Sequence, residues 1–333
     1  MEFTLENIKY CLFAEPGWMR QSYGIPITAQ PPVRYTQLPY IMHSGLTQWG
    51  KIFKGHYNVP DANELDNYNV MHMNYTPTAV GKLTYLHKII DGRDIKKVVN
   101  IDHAIDLWAM NGFVELNQML DELQLADHLF AVESTMANTM SALLDRYVAV
   151  IPHPTDVDMI RKNFIVDEKS VTKGDEKVIV VFFHSYDKNW LLMTNFLNQL
   201  KKKENIIAIA IGALENFPAF FRNTFDLLYN RVSFSDTMKV VARADLVIDT
   251  AVTHSYGRVP IECACLNVPC IAHRTVESAN ILFPELVVDI FDLDDIKSAI
   301  DRAGKIGDDF NYKLYSYNSS ADKFLDMLNG GEL

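Results

Sequence analysis

This 333-residue sequence has few cysteines, no long apolar run and no excess of positive charge. Of the four cysteines, Cys11 stands alone and the others crowd residues 263–270, so they form no disulfide framework and favour a reducing compartment. No apolar run approaches the about 18–20 residues that a membrane helix requires, and the first residues lack the basic stretch of a secretory signal. We therefore expect a cytoplasmic protein without an integral membrane segment.

The charge balance argues against two classes of partner. The chain has 31 basic and 42 acidic residues, a net charge of −11, which disfavours general attraction to nucleic acid or anionic lipid but leaves room for a local basic groove. With 15 glycines and 13 prolines the chain is neither collagen-like nor of low complexity, and 48% hydrophobic residues suffice for a core. Because domains commonly hold about 100–200 residues, the length predicts two.

Short apolar strands alternate with helical periodicity twice along the chain, which predicts α/β domains with parallel sheets covered on both faces. The strands predicted in the first half are residues 8–13, 68–73, 97–101, 129–132 and 146–152. Those predicted in the second half are residues 178–183, 206–211, 231–234, 245–249, 268–272 and 286–288. Ser134 is the predicted N-cap of a helix. A charged stretch without periodicity, residues 167–177, predicts a linker or solvated turn between the halves.

The segment richest in chemical information is residues 249–273, DTAVTHSYGRVPIECACLNVPCIAH. A strand ends there, a polar turn follows, and a helix begins near residue 259, where unpaired amides and the helix dipole favour an anion such as phosphate. Gly257 would let the backbone approach the anion and Arg258 adds a positive charge. Glu262, one turn into the helix, could accept hydrogen bonds from neutral hydroxyls such as those of a ribose. The alternative is a solvated Glu262 and a glycine that simply serves the turn.

This segment resembles the donor-binding signature of the retaining GT-B glycosyltransferases of group 1 type, a strand followed by E-G-F-G and then E-A-M-A-x-G-x-P-V-I-A. His254-Ser255-Tyr256-Gly257 stands in the place of E-G-F-G, and Glu262 in that of the second glutamate. RVSFSDTMKVVARADLVID, LADHLFAVES and YVAVIPHPTDVD are similar to further runs of that family. The resemblance therefore extends over roughly residues 68–300.

The resemblance implies a GT-B fold, α/β with two Rossmann-like doubly wound domains facing a central cleft. Residues 1–165 would form the acceptor-side domain, 166–310 the nucleotide-sugar domain, and 311–333 a helix crossing back to the first domain. The implied reaction is metal-independent transfer of a hexose from a UDP- or GDP-sugar to an acceptor hydroxyl with retention. The nucleotide sugar is a co-substrate, and no cofactor is implied. The acceptor (a glycan, a lipid-linked sugar or a small molecule) and the oligomeric state stay open.

The resemblance also assigns roles within the second half. Glu262 would bind the ribose hydroxyls, beside the donor-binding turn Ser255, Tyr256 and Gly257. His254, where the family has an acidic residue, would contact the donor sugar.

The diphosphate would be held by a second group of residues. Lys188 stands at the family's lysine position, whereas the arginine position falls on Phe183, with His184 beside it. We expect Arg258 to replace the missing cation. Fixed cations and a helix N-terminus on the leaving group would stabilise the transition state more than the ground state.

In the first half, Asp102-His103 after a predicted strand resembles the family's strand-end histidine, which contacts the donor sugar. His72, within a strand, is the competing candidate, although a strand histidine is more often structural. Gly17 stands where the family has a glycine pair near the donor. A single glycine here makes that correspondence weaker.

Metal sites are disfavoured by the sequence. Asp156-Val157-Asp158 resembles a metal-binding D-x-D string but follows a strand end, and Asp292-Leu293-Asp294 is expected to cap a helix. The cysteines at 263 and 265, two apart on a helix, point away from one another.

Two other functions compete with sugar transfer. One is a GT-B relative that epimerises or hydrolyses a nucleotide sugar without an acceptor. The other is a binding protein with a decayed site, which the departures at His254 and Phe183 favour. Glycosylation of a DNA base is a further acceptor subtype, disfavoured by the acidic balance.

Overall fold

The computed structural model describes residues 2–13, 33–34, 45–57, 64–76, 81–102, 113–165, 176–183, 190–212, 214, 217–230, 232–307 and 310–331. The strands among them are β1 Tyr10–Phe13, β2 Val33–Arg34, β3 His56–Tyr57, β4 Val70–Tyr75, β5 Lys96–Ile101, β6 His128–Ala131, β7 Ala149–Val150, β8 Lys177–Phe183, β9 Ile206–Gly212, β10 Leu227–Asn230, β11 Leu246–Asp249, β12 Cys270–His273 and β13 Val287–Val288. The α-helices among them are α1 Gly45–Ile52, α2 Lys82–Ile90, α3 Phe113–Leu123, α4 Ser134–Leu144, α5 Val157–Phe164, α6 Trp190–Lys201, α7 Ala219–Arg222, α8 Phe234–Val241, α9 Arg258–Cys265, α10 Glu277–Leu282, α11 Leu293–Ala303 and α12 Tyr317–Leu328. Within these ranges no helix is long and apolar enough to cross a membrane.

The chain divides into two compact units. Unit 1 comprises Met1–Thr155 and Leu314–Leu333, and unit 2 comprises Asp156–Lys313. Unit 2 therefore begins before α5, earlier than the predicted boundary at 165/166. The reason is that α5 packs within unit 2, where Arg161 Nη1 donates a hydrogen bond to the carbonyl of Cys265 at 2.9 Å.

Unit 1 is built on a sheet in the order β2-β3-β1-β4-β5-β6-β7, parallel except for the β2–β3 pair. Neighbouring residues of β1 pack into different cores, with Cys11 and Phe13 on one face and Tyr10 and Leu12 on the other. Because successive side chains of a strand point to opposite faces, a sheet covered on both sides needs apolar residues at every position. This requirement explains the short, unbroken apolar runs of the sequence.

The C-terminal helix α12 covers one face of the unit 1 sheet. Its Phe324 is fully buried, with ring centroids 5.0 Å from Trp49 and 6.3 Å from Tyr10. Ser316 caps the helix by accepting a hydrogen bond from the amide of Ser319. The last helix of the chain is thus part of the core of unit 1.

Unit 2 contains a parallel sheet in the order β10-β9-β8-β11-β12-β13. Numbered within the unit, this is the 3-2-1-4-5-6 order of dinucleotide-binding sheets. The order reverses between β8 and β11, and sheets of this type bind ligands beyond the carboxyl ends of the strands at such a reversal. The predicted class, α/β with doubly wound parallel sheets, is confirmed.

The strand predicted at residues 231–234 is wrong. Phe234 is the first residue of α8, because Ser233 accepts a hydrogen bond from the amide of Asp236 at 3.1 Å and caps that helix. The strand, β10, lies earlier, at Leu227–Asn230.

The N-cap predicted for α4 is also wrong by one residue. Ser134 is already helical, and the cap is Glu133, whose carboxylate accepts hydrogen bonds from the amides of Thr135 at 2.8 Å and Met136 at 2.6 Å. A carboxylate serves this position because the N-terminal end of a helix dipole is positive. The predicted cap at Asp292 of α11 is confirmed.

Candidate functional site

The loop that carries the His254–Gly257 motif starts at the point where the strand order of unit 2 reverses. Thr250 follows β11 directly and is fully buried, and its Oγ1 donates a hydrogen bond to the carbonyl of Phe182 in β8 at 2.7 Å. This bond ties the first residue of the loop to the neighbouring strand of the reversal. The residues that follow therefore leave the sheet at the strand reversal, the position at which open α/β sheets generally bind ligands.

The motif loop is fixed to the segment that leads into α10. The amide of Ser255 donates to the carbonyl of Thr275 at 3.3 Å, and the amide of Glu277 donates back to the carbonyl of Ser255 at 2.9 Å. The amide of Ser278 donates to the carbonyl of Tyr256 at 3.0 Å. Because backbone groups make these bonds, the residue types gave no sign of them, and this supporting segment was missed from the sequence.

Gly257 is required at its position for two reasons. Its φ of 76° lies in the left-handed region, and a Cβ there would sit 2.2 Å from Cγ1 of Val276 and 2.6 Å from Oγ of Ser278. Ser278 is fully buried, and its hydroxyl donates to the carbonyl of Gly257 at 2.6 Å. The backbone just before α9 is thus held by Ser278, with a glycine at the N-cap of the helix.

Glu262 is a buried carboxylate in α9. The residue is 7% exposed, and its Oε1 lies 3.1 Å from Nη2 of Arg258, one turn earlier on the same helix. Burial of a carboxylate is costly unless a cation or hydrogen-bond donors compensate it. The reading of Glu262 as a solvated helix residue is therefore wrong.

Arg258, the first residue of α9, is more accessible than its partner. Its side chain is 39% exposed, whereas that of Glu262 is 10% exposed. The sequence predicts that Arg258 holds a diphosphate. The structure adds an ion pair to Glu262, which the i,i+4 spacing could have indicated.

His254 is half-buried and lies near a second histidine, His273 at the end of β12. Burial, as the largest cause, lowers the pKa of His273; the carboxylate of Asp289 opposes this shift, and the positive charge of Arg274 adds to it. His273 Nε2 lies 3.7 Å from Oδ1 of Asp289. His273 was not found by the motif comparison alone.

Phe183 explains why no arginine stands at the last position of β8. It is 3% exposed, and its ring packs edge-on against Phe221 at 5.0 Å and Phe225 at 5.7 Å between centroids. An aromatic core residue therefore occupies this place, and it supplies no positive charge.

Four of the predicted site residues, Gly17, His103, His184 and Lys188, lie outside the described residues. Their roles stay predictions. The described ones, His254, Ser255, Tyr256, Gly257, Arg258 and Glu262, fall on one loop and the helix that follows it.

His72 of β4 is a structural histidine of unit 1. It is fully buried, with Nδ1 2.5 Å from the hydroxyl of Tyr10 and Nε2 2.8 Å from Oδ1 of Asn100. Asn100 in turn donates from its Nδ2 to Oδ1 of Asn74 at 2.8 Å, so its Oδ1 faces the imidazole as an acceptor. Burial lowers the pKa of His72 to about 3, which keeps the ring neutral.

A second histidine, His153, lies at the carboxyl end of the unit 1 sheet and was missed from the sequence. Its Nδ1 accepts from the indole N–H of Trp49 at 3.2 Å, and its Nε2 lies 3.4 Å from Oδ2 of Asp102. Asp102 directly precedes the predicted His103. The sequence feature that could have indicated His153 is a histidine between two prolines at the end of the predicted strand of residues 146–152.

The cysteines of unit 2 are buried free thiols. Burial, as the main cause, raises the pKa of Cys263 and Cys270, and that of Cys265 to about 12. Across the described part of the chain, no group of three or more His, Cys, Asp or Glu side chains could hold a metal ion.

Comparison with known proteins identifies solved structures of the same architecture. A UDP-forming α,α-trehalose-phosphate synthase from Burkholderia xenovorans is similar with a TM-score of 0.66 and 9% identity, over 96% of this chain and 98% of that chain. A trehalose-6-phosphate synthase studied for glycosyl transfer with retention is similar with a TM-score of 0.62 and 12% identity, over 96% of both chains. An E. coli trehalose-6-phosphate protein bound with UDP-2-fluoro glucose is similar with a TM-score of 0.58 and 12% identity, over 96% of both chains. No family model and no curated protein sequence matches the chain.

The chain has the GT-B fold. The similarity covers nearly the whole length of these neighbours, although few residues are identical. At such identity the GT-B likeness establishes the architecture of the two sheets and their helices. The group 1 signature stays a resemblance.

Proposed function

We propose that the protein is a glycosyltransferase that uses a nucleotide-sugar donor. The observation that carries the proposal is the position of the His254–Gly257 loop, which leaves the sheet of unit 2 where the strand order reverses and leads directly into the helix that bears the buried Glu262. Nucleotides bind in the crevice at such reversals. The GT-B neighbours support the choice of donor, since one of them is bound with UDP-2-fluoro glucose.

We assign each part of the donor to different residues of this loop and helix. Glu262 would accept hydrogen bonds from the ribose hydroxyls, because a buried carboxylate is a strong acceptor and would repel a phosphate. The first turn of α9 would face the diphosphate, since its amides lack carbonyl partners within the helix. His254 would contact the sugar. Lys188 and His184 complete the proposed diphosphate site as predictions from the sequence.

The proposed chemistry is a front-face displacement. The bond between the anomeric carbon and the diphosphate oxygen breaks, the sugar becomes oxocarbenium-like, and the acceptor hydroxyl forms the new bond on the same face as its proton passes to the departing diphosphate oxygen. Negative charge develops on the leaving diphosphate. Amides and cations already aimed at that charge stabilise the transition state more than the ground state, by about 2.7–4 kcal/mol for one such contact.

Donor binding is the first test. Uridine and guanosine diphosphates are titrated by calorimetry into the wild-type chain, into Glu262→Gln and into Glu285→Gln, a matched change at an exposed glutamate of unit 2. We expect one diphosphate to bind, the Glu262→Gln variant to lose at least about tenfold in affinity, and the Glu285→Gln variant to keep it. At about 100 Kd the ligand should stabilise the fold by about 2.7 kcal/mol. Failure of both diphosphates to bind would favour a decayed site.

Turnover separates transfer from its alternatives. UDP-glucose and GDP-mannose are incubated with and without candidate sugar acceptors, and the anomeric configuration of the product is read by NMR. Retention and persistence of activity in EDTA are expected, because the proposed catalysis uses protein groups. Loss of donor with an altered or free sugar in the absence of any acceptor would favour an epimerase or hydrolase. The cytoplasmic location stays a prediction from the sequence.

A further inference from the structure

The ion pair within α9 is not one that helix stability alone would select. Arg258 is the first residue of the helix and Glu262 follows four residues later, with Nη2 3.1 Å from Oε1. A cation in the first turn opposes the helix dipole, and a positive residue placed before a negative one at this spacing is the weaker order. The stability of the helix therefore does not explain why Arg258 and Glu262 occupy these two positions.

The environment of Glu262 supplies that explanation. Its side chain is only 10% exposed, so its negative charge is costly unless a cation stands beside it. The backbone that leads into Arg258 is held in place, because the carbonyl of Gly257 accepts a hydrogen bond from the hydroxyl of Ser278 at 2.6 Å and the carbonyl of Tyr256 accepts one from the amide of Ser278 at 3.0 Å. The Arg258 guanidinium thus reaches the Glu262 carboxylate from a backbone position that is fixed.

We infer that Arg258 is a positioning residue that acts through Glu262, keeping the carboxylate ionised and in the orientation that receives the ribose hydroxyls of the donor. The inference rests on the proposed function. An ionised carboxylate has about four lone-pair positions, so a hydrogen bond from Arg258 does not exhaust its capacity for a ribose. Fixing the rotamer in advance lowers the entropy lost when the donor binds.

A pair of ligands distinguishes this role from direct binding of the diphosphate. The diphosphate that binds the wild type, of uridine or of guanosine, is compared with its 2′,3′-dideoxy analogue, which keeps the diphosphate and lacks the ribose hydroxyls. The variants are Arg258→Gln, Glu262→Gln, the double variant, and Arg243→Gln as a matched change at an exposed arginine of unit 2. Thermal melting checks that each variant is folded.

If Arg258 acts through Glu262, Arg258→Gln weakens the parent diphosphate about tenfold and leaves the affinity of the dideoxy analogue unchanged. The double variant then binds no more weakly than Glu262→Gln alone, because two residues that act as one unit are not additive. Arg258→Lys should recover part of the affinity, since it restores the charge without the guanidinium geometry.

Equal loss for the parent and the dideoxy ligand in Arg258→Gln would overturn the inference and assign Arg258 to the diphosphate. Additive losses in the double variant would overturn it as well, as would equal binding of the two ligands by the wild type. No binding of either parent diphosphate to the wild type contradicts the proposed function itself. The two failures are therefore distinguishable.

Discussion

Glu122 of unit 1 and Glu262 of unit 2 are both buried, and the two carboxylates are held in different ways. In unit 1, Glu122 of α3 accepts hydrogen bonds from the hydroxyl of Tyr75 at 2.7 Å, the amide of Gly81 at 2.6 Å and the hydroxyl of Thr84 at 3.0 Å. These donors come from β4, from the residue that precedes α2, and from α2. In unit 2, Glu262 pairs with Arg258 of its own helix.

The contrast separates a carboxylate that builds the fold from one suited to a ligand. Glu122 links three segments of the chain through neutral donors, so its removal disrupts all three. Glu262 pairs with a side chain that is 39% exposed and whose charge water can solvate. Burial alone therefore does not distinguish a structural glutamate from one proposed to bind a ligand. The comparison also needs the elements of the fold that supply the partners of the carboxylate.

Removal of Glu122 should give the largest effect. Glu122→Ala leaves the buried Tyr75 hydroxyl and the Gly81 amide without their acceptor, and each such loss costs about 1–3 kcal/mol, so we expect a decrease of about 3 kcal/mol in the free energy of unfolding. Urea denaturation monitored by thiol alkylation measures the free energy of unfolding of each unit separately, because Cys11 is buried in unit 1 and Cys263 in unit 2.

The exposed neighbour Asp121→Ala provides the control for Glu122, with an expected change within about 0.5 kcal/mol. Earlier labelling of Cys11 at unchanged labelling of Cys263 would show that the damage stays in unit 1. A change in Glu122→Ala no larger than in Asp121→Ala would end the distinction between the two glutamates.

A methyl group at Gly257 should have the next largest effect. Gly257→Ala forces a Cβ against Val276 and Ser278 at a φ of 76°, and the strain should cost about 2 kcal/mol. The same change at Gly304, where nothing lies within 4 Å of the added Cβ, should be close to neutral. Thermal denaturation compares the two, and equal melting temperatures would argue that the motif loop is not held as described.

The neutral imidazole of His72 predicts a pH dependence in unit 1. Burial lowers its pKa in the folded state to about 3, below the ordinary 6.5, so the unfolded chain binds the extra proton first. The stability is therefore complete above pH 6.5 and is lost as the pH falls from there toward 3, by about 1.4 kcal/mol between pH 7.5 and 5.5. Denaturation of wild type and His72→Gln at both pH values measures this, and an equal slope in the variant would assign the effect to other groups.

The smallest effect on stability should come from Glu262. Glu262→Gln removes the charge of a buried carboxylate and leaves Arg258, whose side chain is 39% exposed, to be solvated by water, so we expect a change of about 0.5 kcal/mol or less. The same variant should lose nucleotide affinity. Glu262→Gln is thus expected to affect binding more than stability, whereas Glu122→Ala is expected to lower the stability. A loss of stability as large as that of Glu122→Ala would make Glu262 a structural residue.

The sequence predicts most of unit 2 well because its strands are unbroken apolar runs with short connections. β8, β9 and β11 lie within one residue of their predicted bounds. The edge strand β10 was missed although its Leu227, Leu228 and Tyr229 form a short apolar run, because the strand was assigned to the neighbouring residues 231–234 instead. The cap at Glu133 was missed because two adjacent polar residues compete for one position, and only the backbone geometry decides between them.

The motif at His254–Gly257 and the glutamate at 262 could be found from the order of residues along one loop and one helix. Their support could not, because the ladder from Ser255 and Tyr256 to residues 275–278 is made of backbone bonds that any residue can form. Likewise, His72 and His103 were alternatives in the sequence. Only the contacts of His72 with Tyr10 and Asn100 show that it belongs to the core.

What the sequence determined by itself is local: where the strands and helices lie, that the sheets are parallel and covered on both faces, and which short segment carries polar groups at a helix start. These follow from periodicity and from the preferences of single residues. The tertiary structure decided the strand order of each sheet, the return of α12 to unit 1, and which of the buried polar residues serve the fold. Such choices depend on contacts between residues far apart in the chain, and no local pattern encodes the partner of a buried group.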